Sequence, residues 1–229
     1  MDKVFACIDG SRSSHSVCDH AAWAALCMEA PLTLLHVTHN PHAEKKADFS
    51  GNLTLGGRES LLEEMVELEE QRGKLAREQG KLVLQQAVER LQTHGIEGPG
   101  RLLRHGNVTE ALTDLEGEMR LAVLGKQGKD GDMVKMHVGS HLENIIRTLQ
   151  RPVLVTPLEF REPQRFMVAY DGSATADKVV ERVAQSPLLR GLPAHLVMVA
   201  EDNEANRERI GVARAALEQG GDNPLHIRP

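Results

Sequence analysis

The chain has 229 residues, 41% hydrophobic and 26% charged, with a formal net charge of −6. This is globular composition, long enough for one large domain or two small ones. The acidic balance argues against a nucleic-acid partner, and an aromatic content of 3% argues against a base-stacking platform.

In chain order, Val4 to Ile8 reads as a strand that runs into Asp9-Gly10-Ser11. An amphipathic helix follows from Ser13 or Ser14 to about Cys27, then a second strand from Leu32 to Val37. The segment Thr38 to Gly57 is polar and glycine-rich, and reads as a long surface connection. Arg58 to about Thr93 is a long helical region, with Gly73 and Gly80 as weak spots. Arg101 to Arg104 is a short third strand, Val108 to about Glu118 a helix, and Leu121 to Leu124 a fourth strand. Ser140 to Leu149 is a helix and Pro152 to Thr156 a fifth strand. Near-continuous apolar strands alternating with helices predict a doubly wound α/β sheet of five parallel strands, covered on both faces.

The chain then begins again. "RFMVAYDGSATADKVVERVA" (Arg165 to Ala184) lies over "KVFACIDGSRSSHSVCDHAA" (Lys3 to Ala22) without a gap. The same offset brings Ala194–Val199 onto Leu32–Val37. The pattern predicts a tandem of related domains, residues 1–157 and 165–229, joined by the linker 158–164. The second has a helix of about Glu204 to Glu218 and is incomplete: after "PLHIRP" (Pro224 to Pro229) it has no fourth strand, no glycine loop and no fifth strand.

Three cysteines (Cys7, Cys18, Cys27) without metal-type pairing point to reduced thiols in a cytosolic protein, with Cys7 as a small buried residue. The longest apolar stretch, Ala21 to Met28, falls far short of the ~18–20 residues of a membrane span. The N-terminus enters a strand directly, so no signal peptide is expected.

Ligands of doubly wound sheets bind outside the carboxyl ends of the strands. Asp9, Val37 and the segment Gly125 to Ser140 fall at such ends. Ser140 and Glu143 fit a capping box, which starts a helix at Ser140 and turns its unpaired amides toward an anion. Gly139 lets a phosphate approach that helix end, and Gly125 and Gly128 turn the chain off the strand and bare further amides. The alternative is a set of turn glycines and a helix cap, with Asp9 capping its own turn. No Walker loop, dinucleotide fingerprint or G-x-S-x-G elbow occurs.

The strand-Asp-Gly-Ser opening, the G-x2-G loop after the fourth strand, Gly139-Ser140 and "RPVLVTP" together resemble the universal stress protein family. The resemblance covers the first unit and the first half of the second. It implies an adenine nucleotide α-hydrolase-like fold and a site for ATP or another adenine nucleotide. Asp9 would face the ribose or a metal-bound phosphate. Val37 would contact the adenine through its backbone. Gly125, Gly128, Gly139 and Ser140 would hold the ribose and phosphates. The family's nucleotide-binding branch has G-x2-G-x9-G-[ST]; here the second spacer, Lys129 to Val138, is one residue longer. Asp130 and Asp132 in that spacer call for a divalent cation, magnesium or manganese, beside any phosphate. The second unit matches only at Asp171 and Val199, so the site is expected in the first.

The expected function is a cytoplasmic stress-response regulator or sensor. No convincing base or nucleophile is apparent, and ATP hydrolysis, where present, would be slow. The rival is a protein-interaction module. Its long helix carries Leu61, Met65, Leu68, Leu75, Leu82 and Val83 at approximate heptad spacing, as a core-covering helix or an arm for an oligomer contact. The fifth strand is an expected sheet edge; the resemblance implies that it pairs between protomers, hence a homodimer. His36, His39 and His42 run off a strand into a loop and need not converge on a metal. His105, His137 and His141 read as solvated loop histidines.

Overall fold

The computed structural model describes residues 2–38, 55–126, 140–220 and 225–227, the side chains of 55–63, 140–141 and 225–227 excepted. The chain divides into two compact units, Met1–Phe160 and Arg161–Pro229.

Unit one holds β1 (Lys3–Cys7), α1 (Ser13–Met28), β2 (Leu32–Thr38), α2 (Leu55–Thr93) and β3 (Gly100–His105). It continues with α3 (Val108–Asp114), β4 (Met119–Gly125), α4 (Ser140–Thr148) and β5 (Val153–Thr156). The sheet order is β3-β2-β1-β4-β5, with every pair parallel. This is the doubly wound α/β fold. Alternation sorts the apolar side chains onto two faces. Phe5, Leu35, Ala122 and Leu124 form a core with Leu112 and Leu115 after β3 and with Leu142, Ile145 and Leu149 of the α4 region. Helices α1 and α2 pack on the sheet and on each other, and Val4, Ala6, Leu34, Val123, Val17, Ala21, Leu84 and Leu91 are buried.

Two helices differ from expectation. The helix after β3 stops at Asp114, followed by a 3-10 turn at Glu116–Glu118. Leu115 closes it by donating to the Leu112 carbonyl, and Gly117 does not sustain the helix. Helix α2 starts at Leu55 and runs through Gly56-Gly57, three residues the sequence assigned to the connection. It also passes unbroken through Gly73 and Gly80. The rest of the connection lies outside the described residues.

Unit two holds β6 (Phe166–Ala169), α5 (Ala174–Ala184), β7 (Ala194–Val197), α6 (Glu204–Gly220) and β8 (Leu225–Ile227), in the parallel order β6-β7-β8. Strand β8 falls within the "PLHIRP" tail and, paired with β7, is the counterpart of β3. The described helices of this unit, α5 and α6, pack on each other. Met167, which aligns with the fully buried Phe5, is 66% exposed, because no described helix corresponding to α3 or α4 covers it. Strand β7 stops at Val197, and Val199 stands almost fully exposed beyond it. Val199 therefore does not repeat the position of Val37 inside β2.

Candidate functional site at the carboxyl rim of unit one

The residues Asp9, Val37 and Gly125 reach one rim of three neighbouring strands. Register pairs Cys7 with Leu35 and Ala6 with Val123. Asp9 and Val37 each lie two residues further along their strands, and Gly125 lies two past Val123.

Main-chain direction follows from the bonds around these positions. The Leu35 carbonyl accepts from the Ile8 amide at 3.0 Å, and the Thr38 carbonyl accepts from the Gly106 amide at 3.1 Å. Residues of a strand alternate between its neighbours. Leu35 and Val37 therefore address the β1 side, and Thr38 the β3 side. On β4, Ala122 donates to the Pro152 carbonyl and Lys126 to the Thr156 carbonyl, so Val123 and Gly125 address β1 from the other flank. Strand β1 ends at Cys7. Val37 and Gly125 thus turn their amides and carbonyls from opposite sides into the gap left where β1 ends. That gap is the switch point of the sheet, the position where doubly wound folds take ligands.

The chain leaving β1 makes a closed turn. Asp9 Oδ1 accepts from the Ser11 amide at 2.8 Å and from Ser14 Oγ at 3.1 Å. Ser14 Oγ in turn accepts from the amides of Gly10 at 3.0 Å and Asp9 at 3.3 Å. Gly10 supplies the positive φ of 75° that the turn needs. Asp9 Oδ1 and these two amides hold the loop, as the turn-capping alternative for Asp9 anticipated. Ser14 is the residue the sequence reading passed over. Its signal was a hydroxyl in the first helical turn after Asp-Gly, where unit two has Ala176. In unit two Asp171 makes the same bond to the Ser173 amide, 2.9 Å, while Ser173 Oγ caps α5. Ser14→Ala is expected to cost about 1–2 kcal/mol, read from urea unfolding; unchanged stability would show that water replaces the hydroxyl.

Helix α4 starts at Ser140, the position expected, and its N-terminus follows β4 on the same rim. Glu143 Oε1 accepts from Arg147 one turn onward at 2.7 Å. Gly128 and Gly139 lie outside the described residues, as do His39, His42, Asp130, Asp132 and His137.

The remaining candidates are structural. His36 is buried, and its Nδ1–H donates to the Ile8 carbonyl at 2.7 Å. It ties β2 to the end of β1. His105 is exposed and bonded to Thr38 Oγ1. No group of three or more metal-binding side chains occurs among the described residues. Cys7 packs beside the core under α3 and α4, and desolvation pushes its thiol up to about 12, so it is no nucleophile at neutral pH. Among the described residues no helix is long and apolar enough to cross a membrane.

Fold and rim define a doubly wound α/β protein with main-chain polar groups of β2 and β4 turned toward its switch point. The family model for the universal stress protein family matches residues 1–157. A universal stress protein of Synechocystis, Slr1230, is 35% identical over 225 residues, covering 96% of this chain and 78% of that protein. The crystal structure of a universal stress protein from Archaeoglobus fulgidus overlays with a TM-score of 0.68 at 17% identity, over 98% of this chain and 77% of that one. A universal stress protein solved in complex with cAMP matches 69% of this chain and 98% of its own, at 20% identity and a TM-score of 0.44. The chain belongs to the universal stress protein family.

Proposed function

We propose that residues 1–157 bind an adenine nucleotide, ATP first among the candidates, and that binding serves a regulatory or sensing role in a cytoplasmic stress response. The observation that carries this reading is the convergence of the Val37 and Gly125 main chains on the gap beyond β1, next to the N-terminus of α4. Donors and acceptors from a strand edge suit a purine, and unpaired helix amides suit phosphate. The cradle is made of backbone, so the net charge of −6 is no obstacle.

In this reading Val37 pairs with the base. Gly125, Gly128, Gly139 and Ser140 surround ribose and phosphates. Asp9, with Oδ1 committed to its turn, fixes the floor of the crevice. Asp130 and Asp132 fit a magnesium or manganese ion that offsets phosphate charge. Residues 165–229 form a second domain that begins like the first, and no G-x2-G loop occurs within those residues. The proposed assembly is a homodimer; strand β5, an edge with Val155 exposed, is the contact that the family resemblance implies for it, to be set against any other surface of the chain.

Isothermal titration with magnesium and ATP tests the site. Wild type is expected to bind, and Gly139→Val to bind at least about tenfold more weakly, since a branched side chain would stand where phosphate meets the helix. Equal heats from the two proteins would remove the cradle.

A further inference from the structure

Helix α2 carries more apolar surface than its own sheet uses. Its inner face buries Gly80, Leu84, Ala87, Val88 and Leu91, the helical repeat of a covering helix. On the opposite face Leu68, Leu75 and Leu82 stand 46%, 71% and 64% exposed. They recur every seven residues, and Leu61 holds the preceding heptad position. Single exposed leucines need no explanation, but a continuous row marks an interaction surface.

Charge along the same helix is divided. Residues 63–70 contain five glutamates and no cation, and residues 72–81 contain Arg72, Lys74, Arg77 and Lys81 against the one acid Glu78. The helix dipole does not account for this. It acts within the first and last turn, whereas the sign changes near Gln71, well inside a helix that runs from Leu55 to Thr93. Internal pairing accounts for little of it. Lys81 meets Glu78 at 2.7 Å, but Glu64, Glu67 and Glu70 follow one another at like-charge spacing, which destabilises an isolated helix.

The two patterns share a centre. The midpoint of Leu61 and Leu82, and that of Leu68 and Leu75, both fall between Gln71 and Arg72, where the charge changes sign. We infer that α2 is an association surface for a second copy of this chain, docked antiparallel about that point. Leu68 then faces the partner's Leu75 across that point, and Leu82 continues the row. Each acidic half lies along a basic half. A parallel pair would set glutamates against glutamates. The inference is independent of the nucleotide site.

Sedimentation velocity on the full chain at micromolar concentration tests it. Wild type is expected to be dimeric. Leu68→Lys/Leu75→Lys should weaken the dimer at least about tenfold with an unchanged circular dichroism melt, because both side chains are solvent-exposed in one copy. Val155→Lys, at the β5 edge, should leave it intact. Reversing Glu64, Glu67 and Glu70 to lysine should also weaken it. Adding Lys74→Glu, Arg77→Glu and Lys81→Glu should restore it, because both halves are then exchanged. These charge variants keep the test independent of any folding defect in the leucine variant. A monomeric wild type, a dimer indifferent to both sets of changes, or one lost only in Val155→Lys would overturn the inference.

Discussion

Replacing Arg90 with alanine is expected to lower the stability of unit one by about 3 kcal/mol. Asp19 sits in the middle of α1 with its side chain 7% exposed. Arg90, from α2, grips it with two bonds of 2.6 Å, Nε to Oδ1 and Nη2 to Oδ2. His94 Nε2 adds a third contact to Oδ1 at 2.9 Å. Removing the guanidinium strands a buried carboxylate. Asp19→Asn should cost less, because the Arg90 side chain, 38% exposed, can hydrate when released. Urea unfolding of both variants checks the order; equal or reversed costs would show that the pair is not desolvated as described.

The same clamp predicts acid sensitivity. Burial pushes the Asp19 carboxyl up, but the hydrogen bonds and charges of Arg90 and His94 outweigh it and hold it below the usual range. A depressed native pKa stabilises the fold fully above the unfolded value of about 3.9. That contribution declines as pH falls below this value and is gone once pH has passed the native pKa. In Arg90→Ala the native carboxyl is no longer held down, so this group's share of the acid loss should shrink: urea unfolding at a series of pH values should show a shallower fall in stability below the unfolded value than in wild type.

The second large effect is expected at Gly80. A β-carbon built there would lie 2.6 Å from Leu103 Cδ1 and 3.0 Å from His36 Cδ2. The leucine tip can swing aside. The imidazole cannot, because the Ile8 carbonyl holds it. Gly80→Val should therefore cost about 2–3 kcal/mol by overpacking, despite the better helix propensity. Gly73 is the control. Nothing lies within 4 Å of a β-carbon placed there, and Gly73→Ala should gain about 0.5–1 kcal/mol. Thermal unfolding of the two variants in opposite directions is the expected result. A shift of the same sign in both would mean that α2 does not cross the sheet at Gly80.

These glycines also mark what a sequence can reveal. Both read as weak spots, because composition sees a missing side chain and not the neighbour that requires it. Gly73 fits that reading, while Gly80 is where α2 closes on β2 and β3. Elements with strong periodicity were legible, including the five parallel strands of unit one and the start of α4 at Ser140. The clamp was not: Asp19 and Arg90 stand 71 residues apart, and nothing local pairs them. Asp9 was recognised, but its turn depends on the Ser14 hydroxyl, whose direction only the fold supplies. Val37 was legible as the end of a strand, its role toward adenine came from the resemblance, and the register of β1 and β2 gives the direction its main chain faces. His36 was read as not converging on a metal with His39 and His42, but its part as a buried strand tie to the Ile8 carbonyl needed the fold.

The central claim is that main-chain amides at the rim of unit one receive a polyanion. Amide chemical shifts of the full chain, followed by nitrogen-15 NMR during titration with magnesium and ATP, test it most directly. The account predicts saturable shifts at Val37, Gly125, Gly128, Gly139 and Ser140, with the matching turn of unit two, Asp171 to Ser173, unmoved. Shifts confined to other surfaces, or none at saturating nucleotide, would contradict it.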